Sequence, residues 1–327
     1  MVPLSVVIVN WNTKDLILAC LQSLAPSLHE KRIEVIVVDN GSCDGSQRAI
    51  TAQFPDVRLI DTGANLGYGR ACNIGMRAST APYVCLLNSD ILVRDGCLET
   101  LIAYMEAHPE VGMVGPRILG TDLKLQDTCR RLPTVWNNLC EALRLSRVFP
   151  RSAFLSGEHM FYFAHDREIM VEGLAGCFML VRRKAIDEVG LFDEQFFLYC
   201  EETDWCKRFR AAGWLIAFCP EAEAIHAHRA SSSKDPVFFA KVQIQSRLIY
   251  WRKHHSPLEV AGFRLAHVLI WLRRMLAAPL MRLTLAGATP DPLRSPRTAA
   301  ACIRLLVTDA DRSPLPAIQS LESSQSA

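Results

Sequence analysis

The chain has 327 residues, half of them hydrophobic, enough to bury a sizeable core as one large domain or two smaller ones without disulfides or structural metals. Thirty-six Lys and Arg nearly balance thirty-four Asp and Glu, so the net charge gives no support to a nucleic-acid binder. No apolar run reaches the roughly 18 residues of a membrane span; the nearest, Leu265 to Leu283, is broken by Arg273 and Arg274.

The opening MVPLSVVIVNWN has no basic leader and too short an apolar run for an anchor, so it reads as a first buried strand. Twelve scattered cysteines form no C-x-x-C and often fall within apolar runs such as YVCLLNSD and LAGCFMLV. That usage suits small buried hydrophobes in a reducing cytoplasm.

Over the first 120 residues, short β-branched runs alternate with helical patterns. In order they are SVVIVN, Lys14 to Leu24, EVIVVDN, Ser46 to Gln53, VRLIDT, Tyr68 to Ala78, YVCLLNSD, Gly96 to Ala107 and VGMVGPRI. Strands apolar on both faces and separated by helices predict a doubly wound α/β domain with a parallel sheet. Polar clusters close several strands: Asn10 and Asn12, Asp39 and Asn40, then Asn88, Ser89 and Asp90. Such residues either make turns or line the crevice beyond the carboxyl ends of the strands. In the second case Asp90 offers a hard oxygen ligand for Mg²⁺ or Mn²⁺.

Residues 119–170 are irregular and suit loops reaching over that crevice. A strand and short helix follow in GLAGCFMLVRRKAIDEV, then the aromatic turn LFDEQFFLYC and a helix from Thr203 to Ala212 stopped by Gly213. Glu201, Glu202 and Asp204 precede or open this helix, where the unpaired amides favour acids. The aromatic residues beside them equally suit a sugar ligand, and partial burial would raise a carboxyl toward the range of a general base. After the strand WLIAFCP, His226 and His228 lack the further ligands of a zinc site.

Helices are expected over Phe238 to His254 and Leu258 to Leu285. From Arg252 to Ala300 the chain carries eight Lys or Arg against Glu259 and Asp291. These basic helices suit either a solvated face or a membrane interface. The division expected is a catalytic domain over 1–235, with halves of about 1–120 and 121–235, a basic helical extension over 236–310, and a tail over 311–327 that lacks a core.

GANLGYGRACNIG offers Gly67 and Gly69 but places Cys72 where a dinucleotide fingerprint needs a third glycine. Together, however, the ordered motifs resemble glycosyltransferase family 2, the inverting GT-A enzymes, and especially their rhamnosyltransferase-like branch. The resemblance covers Leu4 to about Ser233. SVVIVNWN is similar to the family's first nucleotide-binding strand, with Val9, Asn10 and Asn12, and VVDNGSCDGS to its second, with Asp39 matching the base-contacting Asp. NLGYGRACNIG matches the N-x-G-x-x-x-x-x-N-x-G segment through Asn65, Gly67, Asn73 and Gly75, with Arg70 at a position that can bind nucleotide. LLNSDILV occupies the place of the D-x-D motif, with Asn88 for the first Asp, Ser89 between, and Asp90 as the implied metal ligand.

GLAGCFMLVRRKAIDEVGLFDEQFFLYCEETDWCKRF looks like the acceptor-side signature. Glu202 falls on its catalytic base, a Glu where the family usually has Asp, flanked by Glu201 and Asp204. HAHRAS resembles the H-x-x-x-x-S segment, with His226 near the metal or diphosphate and Ser231 its Ser. The resemblance implies a GT-A mixed sheet, a nucleotide-sugar donor, a Mg²⁺ or Mn²⁺ cofactor and transfer of a hexose or deoxyhexose such as rhamnose. It further implies a glycan or lipid-linked acceptor; a lipid-linked one would fit the basic C-terminal helices, with the protein in the cytoplasm and in peripheral contact with the membrane. The competing class is a GT-A domain that binds glycan or nucleotide without turnover, to which Asn88 and Glu202 point together.

Overall fold

A computed structural model describes residues 3–227, 235–284, 293 and 295–308, the side chains of 277–284 aside. Ser231, His228 and the tail over 311–327 lie outside the described residues. The βα alternation appears as read. It runs β1 (Leu4–Asn10), α1 (Lys14–His29), β2 (Ile33–Asp39), α2 (Ser46–Gln53), β3 (Arg58–Asp61), α3 (Tyr68–Ala78) and β4 (Tyr83–Asn88). A short β5 (Ile91–Val93), α4 (Cys97–Ala107) and β6 (Val111–Leu119) complete the first half. Every residue of β1 is buried, because helices cover both faces of a central strand. The packing is close: a Cβ on Gly75 of α3 would lie 2.2 Å from Val7 Cγ1, so only glycine lets this helix rest on β1.

Residues 119–170 hold β7 (Leu125–Gln126), β8 (Cys129–Arg130), α5 (Val135–Ala142), α6 (Leu145–Val148) and β9 (Ile169–Met170). Next come β10 (Gly173–Leu174), β11 (Phe178–Arg182), α7 (Arg183–Val189), α8 (Glu201–Ala211) and β12 (Leu215–His226). Helices α9 (Pro236–His254), α10 (Pro257–Thr284) and α11 (Pro296–Val307) follow. Helix α8 begins two residues earlier than expected, so all three acids lie in its first turn.

The main sheet has the order β3-β2-β1-β4-β11-β6-β12-β5. It is mixed, as the GT-A resemblance implied, and not the parallel sheet that the first 120 residues alone predict. Strand β11, from the second half of the chain, enters antiparallel between β4 and β6. Its residues Phe178 to Val181 are all buried, so its pattern cannot be told from that of a parallel central strand. Helices α9, α10 and α11 close a further core around Trp251, Phe263 and Cys302, which Phe196 joins from the aromatic turn. Thus half of that turn is core: Phe192 packs 4.6 Å from the Trp205 ring, while Phe197 and Tyr199 face the cleft.

Candidate active site

The carboxyl ends of β1, β4 and β12 open into one cleft of about 940 Å³. Parallel pairing sets Val9 beside Asn88, and Asn88, Ser89 and Asp90 then line the cleft in succession. Strand β12 runs antiparallel to β5, so His226 lies opposite Ile91, and the Ala227 amide donates to the Asp90 carbonyl at 3.0 Å. The His226 Nε2 atom is thereby 3.2 Å from Asp90 Oδ1, and the two side chains are only 8% and 10% exposed.

Gln126 fixes the form of this histidine. Its amide nitrogen donates to the His226 carbonyl at 2.8 Å, which turns its Oε1 toward Nδ1 at 2.9 Å. An acceptor there places the proton on Nδ1 and leaves the Nε2 lone pair facing the Asp90 carboxylate. Two lone pairs at that distance repel unless a proton or a cation lies between them. An oxygen and an imidazole nitrogen, with the ring oriented from behind, fit a divalent cation.

Other residues singled out in the sequence stand behind the cleft or away from it. Asp39 is fully buried and accepts from Asn10 Nδ2, the Ser42 amide and Gln47 Nε2, each at 2.8 Å. Asn10 in turn accepts from Thr13, whose hydroxyl meets Ser89 at 2.9 Å. This chain of bonds ties the ends of β1, β2 and β4 together. Asn12 accepts from the Cys43 amide at 2.8 Å, and its neighbour Trp11 lines the cleft instead. Arg70 pairs with Glu194 at 3.5 Å on the surface. Asn73 is buried and bonds both the amide and the carbonyl of Phe192 at 3.0 Å.

Asn65 and Gly67 do line the cleft, held by Asn40 at 3.0 and 3.3 Å. At Gly67 φ is +89°, and a Cβ would lie 2.4 Å from the Phe197 carbonyl oxygen. Asn73 and Gly67 therefore fasten the donor-side helix α3 to the loop that leads into the acids.

Two consecutive left-handed residues, Tyr199 and Cys200, with φ of +69° and +67°, turn the chain into α8, whose Glu201 and Glu202 line the cleft. Glu201 is buried, and its Oε2 has no hydrogen-bond partner among the described residues. Burial and the adjacent Glu202 carboxylate push it well above the usual carboxyl range. Glu202 is half-buried along the cleft and accepts from Thr203 Oγ1 at 3.2 Å; burial raises it too. Two neighbouring buried carboxyls do not both ionise cheaply. Of the two, Glu201 is the deeper and the further raised, and Glu202 the more accessible.

Asp204 does not line the cleft. It is fully buried and meets Arg208 Nε at 2.8 Å, Lys253 Nζ at 2.8 Å and His254 Nε2 at 2.6 Å. Burial alone would raise its carboxyl, but hydrogen bonds from His254, Lys253 and Arg208 overcome that and hold it down to about 2.

Opposite the strand ends, the cleft wall contains residues that sequence reasoning passed over. Arg247 of α9 grips Glu158 through two bonds of 3.0 and 2.9 Å, with Asn138 at 3.0 Å from the same carboxylate. Trp251 and Trp271 add aromatic surface, and Arg274 lies 4.8 Å over the Trp271 ring. The C-terminal helices therefore build part of the cleft. Their apolar spacing signalled helices, but the wall depends on pairings between residues about ninety positions apart, which no local pattern reports.

The Glycosyl transferase family 2 model matches residues 5–190. The chain belongs to this family. It is 32% identical over 242 residues to the N-acetylglucosaminyl-diphospho-decaprenol L-rhamnosyltransferase of Mycobacterium tuberculosis (strain H37Rv), covering 69% of this chain and 77% of that relative. It is 25% identical over 267 residues to the dTDP-rhamnosyl transferase RfbF of Shigella flexneri, covering 77% and 81%. Among solved structures, the mannosyltransferase PcManGT from Pyrobaculum calidifontis, in complex with GDP-Man and Mn²⁺, shares the fold. The TM-score is 0.53 at 18% identity, over 99% of this chain and 79% of that one. The protein is thus a GT-A glycosyltransferase, similar to rhamnosyltransferases. Among the described residues, no helix is long and apolar enough to cross a membrane.

Proposed function

We propose that this glycosyltransferase moves rhamnose from dTDP-rhamnose to a hydroxyl of a glycan or lipid-linked acceptor, with inversion at the anomeric carbon. The observation that carries the reading is one cleft lined by Asn88, Ser89, Asp90, His226 and Glu202 together. The names of the two relatives support the sugar, the nucleotide and a lipid-diphosphate acceptor.

Glu202 takes the proton of the acceptor hydroxyl as its oxygen attacks the anomeric carbon. The bond from that carbon to the diphosphate oxygen breaks, and the nucleoside diphosphate leaves with the electron pair. A single displacement inverts the centre and needs no covalent enzyme intermediate. Asn65, Gly67 and the strand ends bind the nucleotide, backed by Asn10 and Asp39. Asp90 and His226 would hold Mg²⁺ or Mn²⁺, which neutralises charge on the departing diphosphate. Burial and the neighbouring Glu202 carboxylate favour the neutral form of Glu201, which leaves Glu202 as the base in this reading.

Thermal unfolding with UDP, GDP and dTDP, each with Mn²⁺ or Mg²⁺, tests the donor. A bound nucleotide raises apparent stability with its concentration, so dTDP is expected to give the largest rise. Glu202→Gln tests the base: it should keep that rise and lose transfer, and unchanged transfer would remove Glu202 from the role.

A further inference from the structure

The face of α10 turned away from the cleft is apolar where a solvated helix would be polar. Leu258, Leu265, Leu269, Leu272 and Leu276 are between 36% and 83% exposed. Their spacing places them on one stripe, opposite the buried Val260, Phe263, His267 and Trp271. The segment after α5 lies beside this stripe, because Arg273 donates to the carbonyls of Glu141 and Ala142 at the end of that helix. It exposes Leu143, Val148, Phe149 and Phe154 by 50% to 68%.

Both elements are basic and free of acids. No Asp or Glu occurs from 142 to 157, nor in α10 beyond Glu259. Arg144, Arg147 and Arg151 are exposed. Burial and then the positive charges of Arg144, Arg274 and Arg147 depress Arg273.

We infer that this face docks on an anionic lipid bilayer, with the α10 leucines and Phe149 entering the interface and Arg144 and Arg147 meeting lipid phosphates. Charge complementarity decides among occupants. A symmetric dimer through the same patch would oppose arginine to arginine, whereas an anionic bilayer supplies both the apolar layer and the negative charge. Trp271 and Arg274 belong to the same helix and line the cleft, so docking brings the cleft wall next to the lipid. The consequence for substrate rests on the proposed lipid-linked acceptor. The sequence pointed to the C-terminal helices alone, and the 142–157 segment joins them only in three dimensions.

The test is co-sedimentation of the full-length protein with vesicles of phosphatidylcholine alone or mixed with phosphatidylglycerol. Binding is expected to the mixed vesicles only, and to weaken with salt. Arg144→Glu with Arg147→Glu should reduce it by about tenfold or more, given roughly fivefold per basic residue near the surface. Leu265→Ser with Leu276→Ser, both mostly exposed, should abolish it. Both pairs of changes should leave the unfolding temperature, its rise with dTDP, and transfer to a short water-soluble acceptor unchanged.

Equal binding to both vesicle types, or full binding by both variants, would overturn the inference. So would a wild-type dimer without vesicle binding that the leucine changes dissolve. Vesicle binding that follows these expectations in a protein that transfers no rhamnose would support the docking face while the proposed function failed.

Discussion

Glu202 depends on what its neighbour lacks. A Cβ at Gly176 would lie 3.3 Å from both Cβ and Cγ of Glu202, tighter than an ordinary contact, so a methyl there would displace the carboxyl. Gly176→Ala is expected to lower kcat/KM by about tenfold to a hundredfold, as displacement of a catalytic group on the order of 1 Å can do. Gly176→Ala should cost little in a Glu202→Ala background, which removes the Cγ and the carboxyl that the new methyl would displace. A double-mutant cycle on kcat/KM reads the coupling, and strictly multiplicative losses would remove the packing role. The pH profile follows from the same burial. Transfer requires the ionised base, so kcat/KM should fall as pH drops through a pKa above the usual value of about 4.3 for Glu. Placing Glu202 on the base of a known signature was possible from the sequence. The same match ranks it above Glu201; the structure adds the depth of each carboxyl, which depends on α3 and residues 173–177 folding against α8.

Helix α8 and helix α9 are joined at Asp204, which gives that residue a stability role separable from chemistry. Its folded pKa lies at about 2, below the ordinary 3.8. The stabilisation is therefore fully present above the unfolded value and is lost as pH falls through about 2. That shift corresponds to about 2 kcal/mol. Asp204→Asn should lose roughly this much at pH 7, and the gap from wild type should narrow as pH falls below about 4, measured by urea unfolding. Affinity for dTDP should not change, because Asp204 stands outside the cleft; a large loss of affinity would place it in the site. The same contrast of local and distant pairing explains which elements could be read. From β1 to β6 the helices and strands matched, the three-residue β5 apart, because periodicity and turn residues are local signals. Insertion of β11 between β4 and β6 could not be read, since an apolar strand names no partner. The grip of Asp204 on Lys253 and His254, some fifty residues away, was hidden for the same reason, and its acid read equally well as a helix start.

At the scale of the whole molecule, the C-terminal helices form a wall of the cleft, and the Arg247–Glu158 pair is the joint. Glu158 is buried, receives both Arg247 nitrogens, and lies near Glu141, whose carboxyl is pushed up to about 7 by burial and by the Glu158 charge. Removing the guanidinium would leave two acids facing each other in a poorly hydrated site. Arg247→Met is therefore expected to cost about 3–5 kcal/mol and to lower transfer with it, because the wall it anchors carries Trp251 on the same helix. Adding Glu158→Gln should recover part of the stability, since a neutral amide no longer needs the lost cation. Recovery of stability without transfer would assign the pair a further part in acceptor binding. If instead the helices were an appended module, Arg247→Met would split unfolding into two transitions and leave dTDP-dependent stabilisation of the second intact. The shared core of Phe196 with Ile244, Trp251 and Phe263 argues for one transition. Opening that core would expose an aromatic residue only five positions before Glu201, so the fold of the extension and the placement of Glu201 and Glu202 should fail together.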